Sequence, residues 1–132
     1  MTDRMRIGEL TRRADVTART VRYYEGLGLI PPGERQGVGQ RYYSADTVAR
    51  LRKIDQLKAL GLSLDEIGSV IDFYFTDPSG VAAKRKVLGL LRRHLADADG
   101  KIDALGQFRA ELRTHIERFE AWFRVSGEDQ DA

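Results

Sequence analysis

The stretch Thr17-Ala-Arg-Thr-Val-Arg-Tyr-Tyr-Glu-Gly-Leu-Gly28 decides how the chain is read. The Thr17 hydroxyl can accept from the free N–H groups of a first helical turn, so a helix is expected from Ala18 to about Leu27, ended by Gly26 and Gly28. Val21, Tyr24 and Leu27 fall on one face at i, i+3, i+6, while Arg19, Arg22 and Tyr23 fall largely on another. Upstream, Ile7, Leu10 and Ala14 mark a shorter helix over Ile7 to Ala14, for which Gly8 is an acceptable N-cap and which Asp15-Val16 breaks.

Working outward, Ile30-Pro-Pro-Gly33 cannot be helical. Glu34 to Gln40, with Gly33, Gly37 and Gly39, reads as a flexible turn before strand-like Arg41-Tyr42-Tyr43, and together they predict a small β-hairpin, or wing. Ser44 is expected to cap a third helix with Asp46 in its first turn. Val48, Leu51, Ile54, Leu57 and Leu60 recur along it until Gly61 stops it. Ser63-Leu-Asp-Glu66 is a capping box that opens a fourth helix, Leu64 to about Phe75, with Ile67, Val70 and Ile71 inward. Thr76-Asp-Pro-Ser-Gly80 reads as a linker, because Pro78 forbids helix continuation and Gly80 loosens the joint.

From Val81 to about Phe123 the chain carries a heptad. Leu88, Leu95, Ile102, Arg109, Ile116 and Phe123 occupy a, and Leu91, Ala98, Leu105, Leu112 and Phe119 occupy d. Arg109 alone is polar, so the 3.5-residue period is sustained and a coiled coil is expected. Gly89, Gly100 and Gly106 each cost about 1 kcal/mol against alanine, but they fall at b, f and e, away from the seam. The chain holds no second helix of comparable length, so the partner is expected to be another copy. Arg109 either fixes register, as polar a residues do, or snorkels outward. The expected organisation is a head over 1–75, a linker over 76–80, a coiled-coil helix over 81–124 and a frayed acidic tail over 125–132.

Composition and charge narrow the function classes. A 42% hydrophobic and 32% charged chain of 132 residues is neither a disordered tail nor a membrane protein. No apolar run approaches the roughly 18 residues that span a bilayer, and the N-terminal Met1-Thr-Asp-Arg-Met-Arg6 lacks the apolar stretch of a signal peptide. The expected compartment is the cytoplasm. Residues 1–58 hold 12 Lys/Arg against 7 Asp/Glu, whereas 59–132 hold 10 against 13, so the basic half suits a polyanion. There is no cysteine, which excludes disulfides, thiolate metal sites and thiol switches. No nucleophile–base set, glycine-rich phosphate loop or paired-carboxylate cleft points to an enzyme. His94 and His115 are the only histidines; both fall at g, three heptads apart, and read as solvated surface, so no metal or other cofactor is expected.

Two short helices at a tight turn, followed by an arginine-bearing hairpin, form a DNA-reading arrangement. The second helix is expected to enter the major groove, with Arg19 and Arg22 reaching base edges or phosphates and Tyr23 and Tyr24 giving hydroxyls to phosphate oxygens. Arg41 would reach the flanking backbone or minor groove from the wing. Thr17, Thr20 and Tyr42 complete the expected interface with double-stranded DNA.

The run Thr20-Val-Arg-Tyr-Tyr-Glu-Gly-Leu-Gly-Leu-Ile-Pro31, with Ile7-Gly-Glu-Leu10 before it and Arg41-Tyr-Tyr-Ser44 after it, resembles the MerR family of bacterial transcription regulators across residues 5–75. The resemblance implies a mainly α fold: a winged helix-turn-helix head of four helices plus a small hairpin, then a long antiparallel dimerisation helix. It implies a homodimer on a pseudo-palindromic operator, which bends and untwists the DNA so that promoter elements realign for RNA polymerase. It also implies that Arg19, Arg22, Tyr23, Tyr24 and Arg41 touch DNA. One position departs from the family: the residue before Arg41, often aromatic in relatives, is Gln40.

Relatives that sense metals or oxidants through cysteines offer no guide to a chain with none, and a chain ending at Ala132 is expected to lack an appended drug-binding domain. Phe73, Phe75, Phe119, Trp122 and Phe123 concentrate the aromatic stock outside the head's first helices. They read either as packing between coil and head or as the walls of a site for a small apolar ligand. The rival to an effector-responsive regulator is an architectural or excision-type factor that bends DNA without an effector.

Overall fold

The structure, a computed structural model, describes residues 4–35, 37 and 39–127. Its elements are β1 (Arg4–Met5), α1 (Ile7–Ala14), α2 (Ala18–Gly26), β2 (Glu34–Arg35), β3 (Arg41–Ser44), α3 (Ala45–Ala59), α4 (Leu64–Thr76) and α5 (Val81–Ser126). The chain divides into two compact units, Met1–Leu90 and Leu91–Ala132.

Local sequence explains most helix ends in the first unit. The Thr17 hydroxyl accepts from the Thr20 N–H at 3.1 Å and opens α2. α2 closes in a Schellman turn: Gly28 N–H donates to the Glu25 carbonyl at 3.1 Å and Leu29 N–H to the Tyr24 carbonyl at 3.0 Å, with Gly28 at φ +75°. α3 ends the same way, with Gly61 N–H on Lys58 O at 2.9 Å, Leu62 N–H on Leu57 O at 3.4 Å, and Gly61 at φ +94°. The capping box at Ser63 and Glu66 is present in both directions. Gly8 is not the cap of α1: Arg6 holds that position in extended conformation without a side-chain bond, and its carbonyl accepts from Glu9 and Leu10. Ser44 precedes α3 in the N-cap position but gives it no side-chain bond.

The wing is larger than a hairpin. β3 is the centre of a three-stranded antiparallel sheet, pairing with β2 (Glu34↔Tyr42, Arg35↔Arg41) and with β1 (Arg4↔Ser44, Met5↔Tyr43). A two-residue strand carries no readable alternation, so β1 is invisible to periodicity. Residues 36 and 38 of the expected wing turn lie outside the described residues. Gly33 serves close approach here: a Cβ on it would stand 2.8 Å from the Arg41 Cβ and 2.9 Å from the Tyr43 Cζ.

The core of this unit joins Leu10 of α1, Val21 and Tyr24 of α2, Leu51, Ile54 and Leu57 of α3, and Ile67, Val70 and Ile71 of α4, all buried. Arg50 ties it across its edge. Its guanidinium donates to the Leu29 carbonyl at 3.2 Å and to Asp72 at 2.7 Å, so the end of α2 and the face of α4 share one side chain of α3. Leu27 and Leu60, which follow the buried periodicity of their helices, lie beyond the last turns and are exposed.

The joint after α4 is a hydrogen-bonded cap. Asp77 accepts from the Ser79 N–H at 3.0 Å, the Ser79 hydroxyl at 2.7 Å and the Ala82 N–H at 3.4 Å, and Ser79 Oγ accepts from Val81 N–H at 3.2 Å. These bonds, those from Ser79 foremost, hold the exposed Asp77 carboxyl below the usual carboxylate range. The first unit continues past this joint to Leu90, because Ala83, Val87 and Leu90, at i, i+4 and i+7, are buried.

The second unit is the remainder of α5, which runs to Ser126. Of the acidic tail expected over 125–132, Val125 and Ser126 are helical, and residues 128–132 lie outside the described residues. Leu95, Ile102, Leu105, Leu112, Ile116 and Phe119 are all exposed along it.

Two glycine substitutions have opposite expected signs. Gly61→Ala puts a Cβ into a left-handed turn and should destabilise the protein by about 1–2 kcal/mol. Gly89→Ala, inside α5 with open space around it, should stabilise by about 0.5–1 kcal/mol. Chemical denaturation curves of the two variants check both signs.

Candidate nucleic-acid interface

α2 presents two faces. Val21 and Tyr24 turn into the core, which leaves Arg19, Arg22 and Tyr23 exposed on the opposite side, Tyr23 by 57%. Thr17 and Thr20 stand at the helix N-terminus with their hydroxyl oxygens 2.9 Å apart, so one hydroxyl proton is shared between them. Tyr23 and Tyr24 stack at a tilt, ring centroids 6.1 Å apart. The expectation that Tyr24 offers a hydroxyl to phosphate needs correction. Its ring is 5% exposed and its hydroxyl lies 3.5 Å from the Lys58 Nζ, because position 24 shares the inward face with Val21.

The wing contributes β3. Arg41 is exposed, Tyr42 half-buried and Tyr43 buried. Gln40, the departure noted in the sequence, accepts the Tyr42 hydroxyl at 3.1 Å on its side-chain oxygen. Arg41 is not simply extended toward solvent: it pairs with Glu25 of α2, Nη1 to Oε2 at 3.0 Å. The other Glu25 oxygen accepts the Tyr43 hydroxyl. Burial, with Glu25 as hydrogen-bond partner and neighbouring charge, pushes the Tyr43 hydroxyl up to about 12.

Between the start of α1, the exposed face of α2 and the wing lies an open recess of about 430 Å³. Arg6, Arg22 and Arg41 line it, together with Gln40 and Tyr43. Three guanidiniums around one concavity, beside a helix whose arginines face outward, suit the phosphates of a polyanionic ligand. Arg6 and Glu25 were not singled out in the sequence. Glu25 left a usable signal, an acid four residues after inward Val21 on the same helix; Arg6 left none, since β1 brings it beside the wing.

The residues expected to form a seam and a ligand site are distributed as follows. Among the seam positions, Leu88 is exposed and Leu91 half-buried. Beyond them Leu95, Ala98, Ile102, Leu105, Arg109, Leu112, Ile116, Phe119 and Phe123 are exposed. Phe73 and Phe75 belong to the first unit, where Lys86 stands over the Phe73 ring at 4.7 Å and Arg50 over that of Phe75 at 5.1 Å. Phe119, Trp122 and Phe123 belong to the second, where Trp122 and Phe123 meet edge to face at 5.0 Å. No helix of the described residues is long and apolar enough to cross a membrane.

Two family models match the chain. One, described as MerR HTH family regulatory protein, covers residues 5–73; another, described as MerR, DNA binding, covers residues 48–115. The mercuric resistance operon regulatory protein of Bacillus cereus is 47% identical over 68 residues, 52% of this chain and 52% of its own length. The HTH-type transcriptional regulator HmrR of Rhizobium leguminosarum bv. viciae is 35% identical over 108 residues, 82% of this chain and 81% of its own. The crystal structure of the transcription regulator PbrR691 from Ralstonia metallidurans CH34, in complex with lead(II), superposes with a TM-score of 0.65 at 33% identity, covering 83% of this chain and 84% of that one. The chain spans about half the length, 42% and 52%, of two of the curated relatives that it matches. With its outward arginine helix, its wing and the first part of its long helix within the matched span, the chain belongs to the MerR family of helix-turn-helix regulatory proteins.

Proposed function

We propose that two copies of this chain zip together along α5 and place two α2 helices in successive major-groove segments of a pseudo-palindromic promoter operator. The observation that carries this reading is the uncovered heptad stripe from Leu95 to Phe123, on a helix 46 residues long. Burying one such leucine, isoleucine or phenylalanine contributes about 1.5–3 kcal/mol, and a second copy offers the matching stripe. Each head would contribute Arg19, Arg22 and Tyr23 from α2, Thr17 and Thr20 at its start, and Arg41 and Tyr42 from the wing. The dimer distorts the duplex and so sets the geometry that RNA polymerase meets in the cytoplasm. The deformation cost is offset by the phosphate contacts that the bend permits.

Phe119 and Phe123 are seam residues in this dimer, so the reading uses them for packing and requires no ligand between them. The chain has no cysteine, so a thiolate site for a metal is not open to it.

If the dimer neutralises about eight phosphates, log affinity for duplex DNA falls with log salt at a slope near −7. Selection from a randomised duplex library should enrich a pseudo-palindrome with half-sites about one helical turn apart. Arg22→Ala should weaken binding to that duplex about five- to hundred-fold with an unchanged unfolding midpoint. Wild-type affinity in Arg22→Ala would remove this face of α2 from the interface, and failure to enrich any sequence would contradict the operator reading.

A further inference from the structure

Glu25 is an acid in a region otherwise dominated by arginines, and its side chain is only 7% exposed. A carboxylate placed there would be strongly destabilising without partners. It has two, both from the wing strand: the Arg41 guanidinium on Oε2 and the Tyr43 hydroxyl on Oε1. Replacing such an ion pair by well-packed apolar groups is often neutral or stabilising, so stability alone does not explain an acid at this point. Its placement does. Arg41 is held by Glu25 while it lines the same recess as Arg6 and Arg22. A guanidinium has five N–H donors in a fixed plane, so giving one to a carboxylate orients the others. Gly33 closes the arrangement from behind, since its backbone lies against both the Arg41 Cβ and the Tyr43 ring and leaves no room for a Cβ.

We propose that Glu25 is a positioning residue of the DNA interface: its buried carboxylate locks the wing strand onto α2 and aims the Arg41 guanidinium into the recess shared with Arg6 and Arg22, where one backbone phosphate is bound. The inference rests on the DNA-binding reading above. It makes Arg41 a phosphate ligand whose direction is set by the recognition helix, so that helix and wing reach the duplex as one rigid piece. Glu25 touches no DNA itself.

The test uses full-length protein and the duplex that the wild type enriches from a randomised library, with affinity measured across a range of salt. Arg41→Ala should lower affinity several-fold and make the log–log salt slope shallower by about one. Glu25→Gln, which keeps the shape but turns an amide toward Arg41, should reproduce both effects. The double variant should bind no more weakly than Arg41→Ala, because the two act through one contact. Tyr43→Phe, which leaves the ion pair in place, should lower the unfolding midpoint and keep the wild-type slope. Arg41→Lys retains the charge without the planar fork and should bind as poorly as Arg41→Ala, a readout that stands even if Glu25→Gln fails to fold.

Glu25→Gln with wild-type affinity and slope would overturn the proposal, as would tighter binding with a steeper slope, which would mean that Glu25 only cancels charge. Wild-type binding by Arg41→Lys would overturn it too. A wild-type protein that binds no duplex in a salt-dependent way would overturn both this proposal and the DNA reading. A readout without DNA accompanies these. Tyr43 is held neutral in the folded head, so its share of stability is complete below about pH 10 and is lost as the pH rises toward about 12. In Glu25→Gln the ultraviolet titration of this tyrosine should move down only by the share that Glu25 supplies, because burial is the larger cause; an unmoved titration would contradict the latch.

Discussion

An apolar stripe repeated every 3.5 residues along a solvated helix is the constraint on which this molecule turns. Leu95, Ile102, Leu105, Leu112, Ile116 and Phe119 stand exposed on α5, and no described residue of the second unit covers them. Contiguous exposed apolar surface of this kind marks a contact surface. The glycines at 89, 100 and 106 weaken the isolated helix further. The proposed second copy offers a stripe of the same periodicity, and a DNA reader gains from one, because two half-sites bound together multiply weak individual contacts.

The head follows a different logic, in which burial on one side of a helix dictates chemistry on the other. Val21 and Tyr24 turn into the core, so Arg19, Arg22 and Tyr23 have nowhere to go but outward. Arg50 holds the end of α2 to α4 through the Leu29 carbonyl and Asp72. Glu25, in its last turn, holds it to β3. α2 is thereby fixed on several sides before any ligand arrives, which lowers the ordering cost of binding.

Much of this was legible in the chain. Thr17, the Gly28 and Gly61 turns and the Ser63–Glu66 box announce helix ends through local chemistry that tertiary packing did not override. The outward arginines followed from helical period alone. What was hidden depends on contacts between distant segments. β1 is too short to alternate, and its pairing with β3 brings Arg6 to the recess. Gly33 looked like a turn residue, yet its reason is the Tyr43 ring pressed against it. The ion pair of Arg41 joins residues sixteen positions apart. The head also extends to Leu90 because Ala83, Val87 and Leu90 form a second apolar stripe on α5, offset from the heptad and masked by it.

The proposed interface exists only if α5 finds its match in another copy. Sedimentation equilibrium of the full-length chain at micromolar concentration, without DNA, measures this most directly. Pairing along α5 gives a single species of twice the mass of one chain. A species of one chain mass, unchanged as concentration rises, would contradict it.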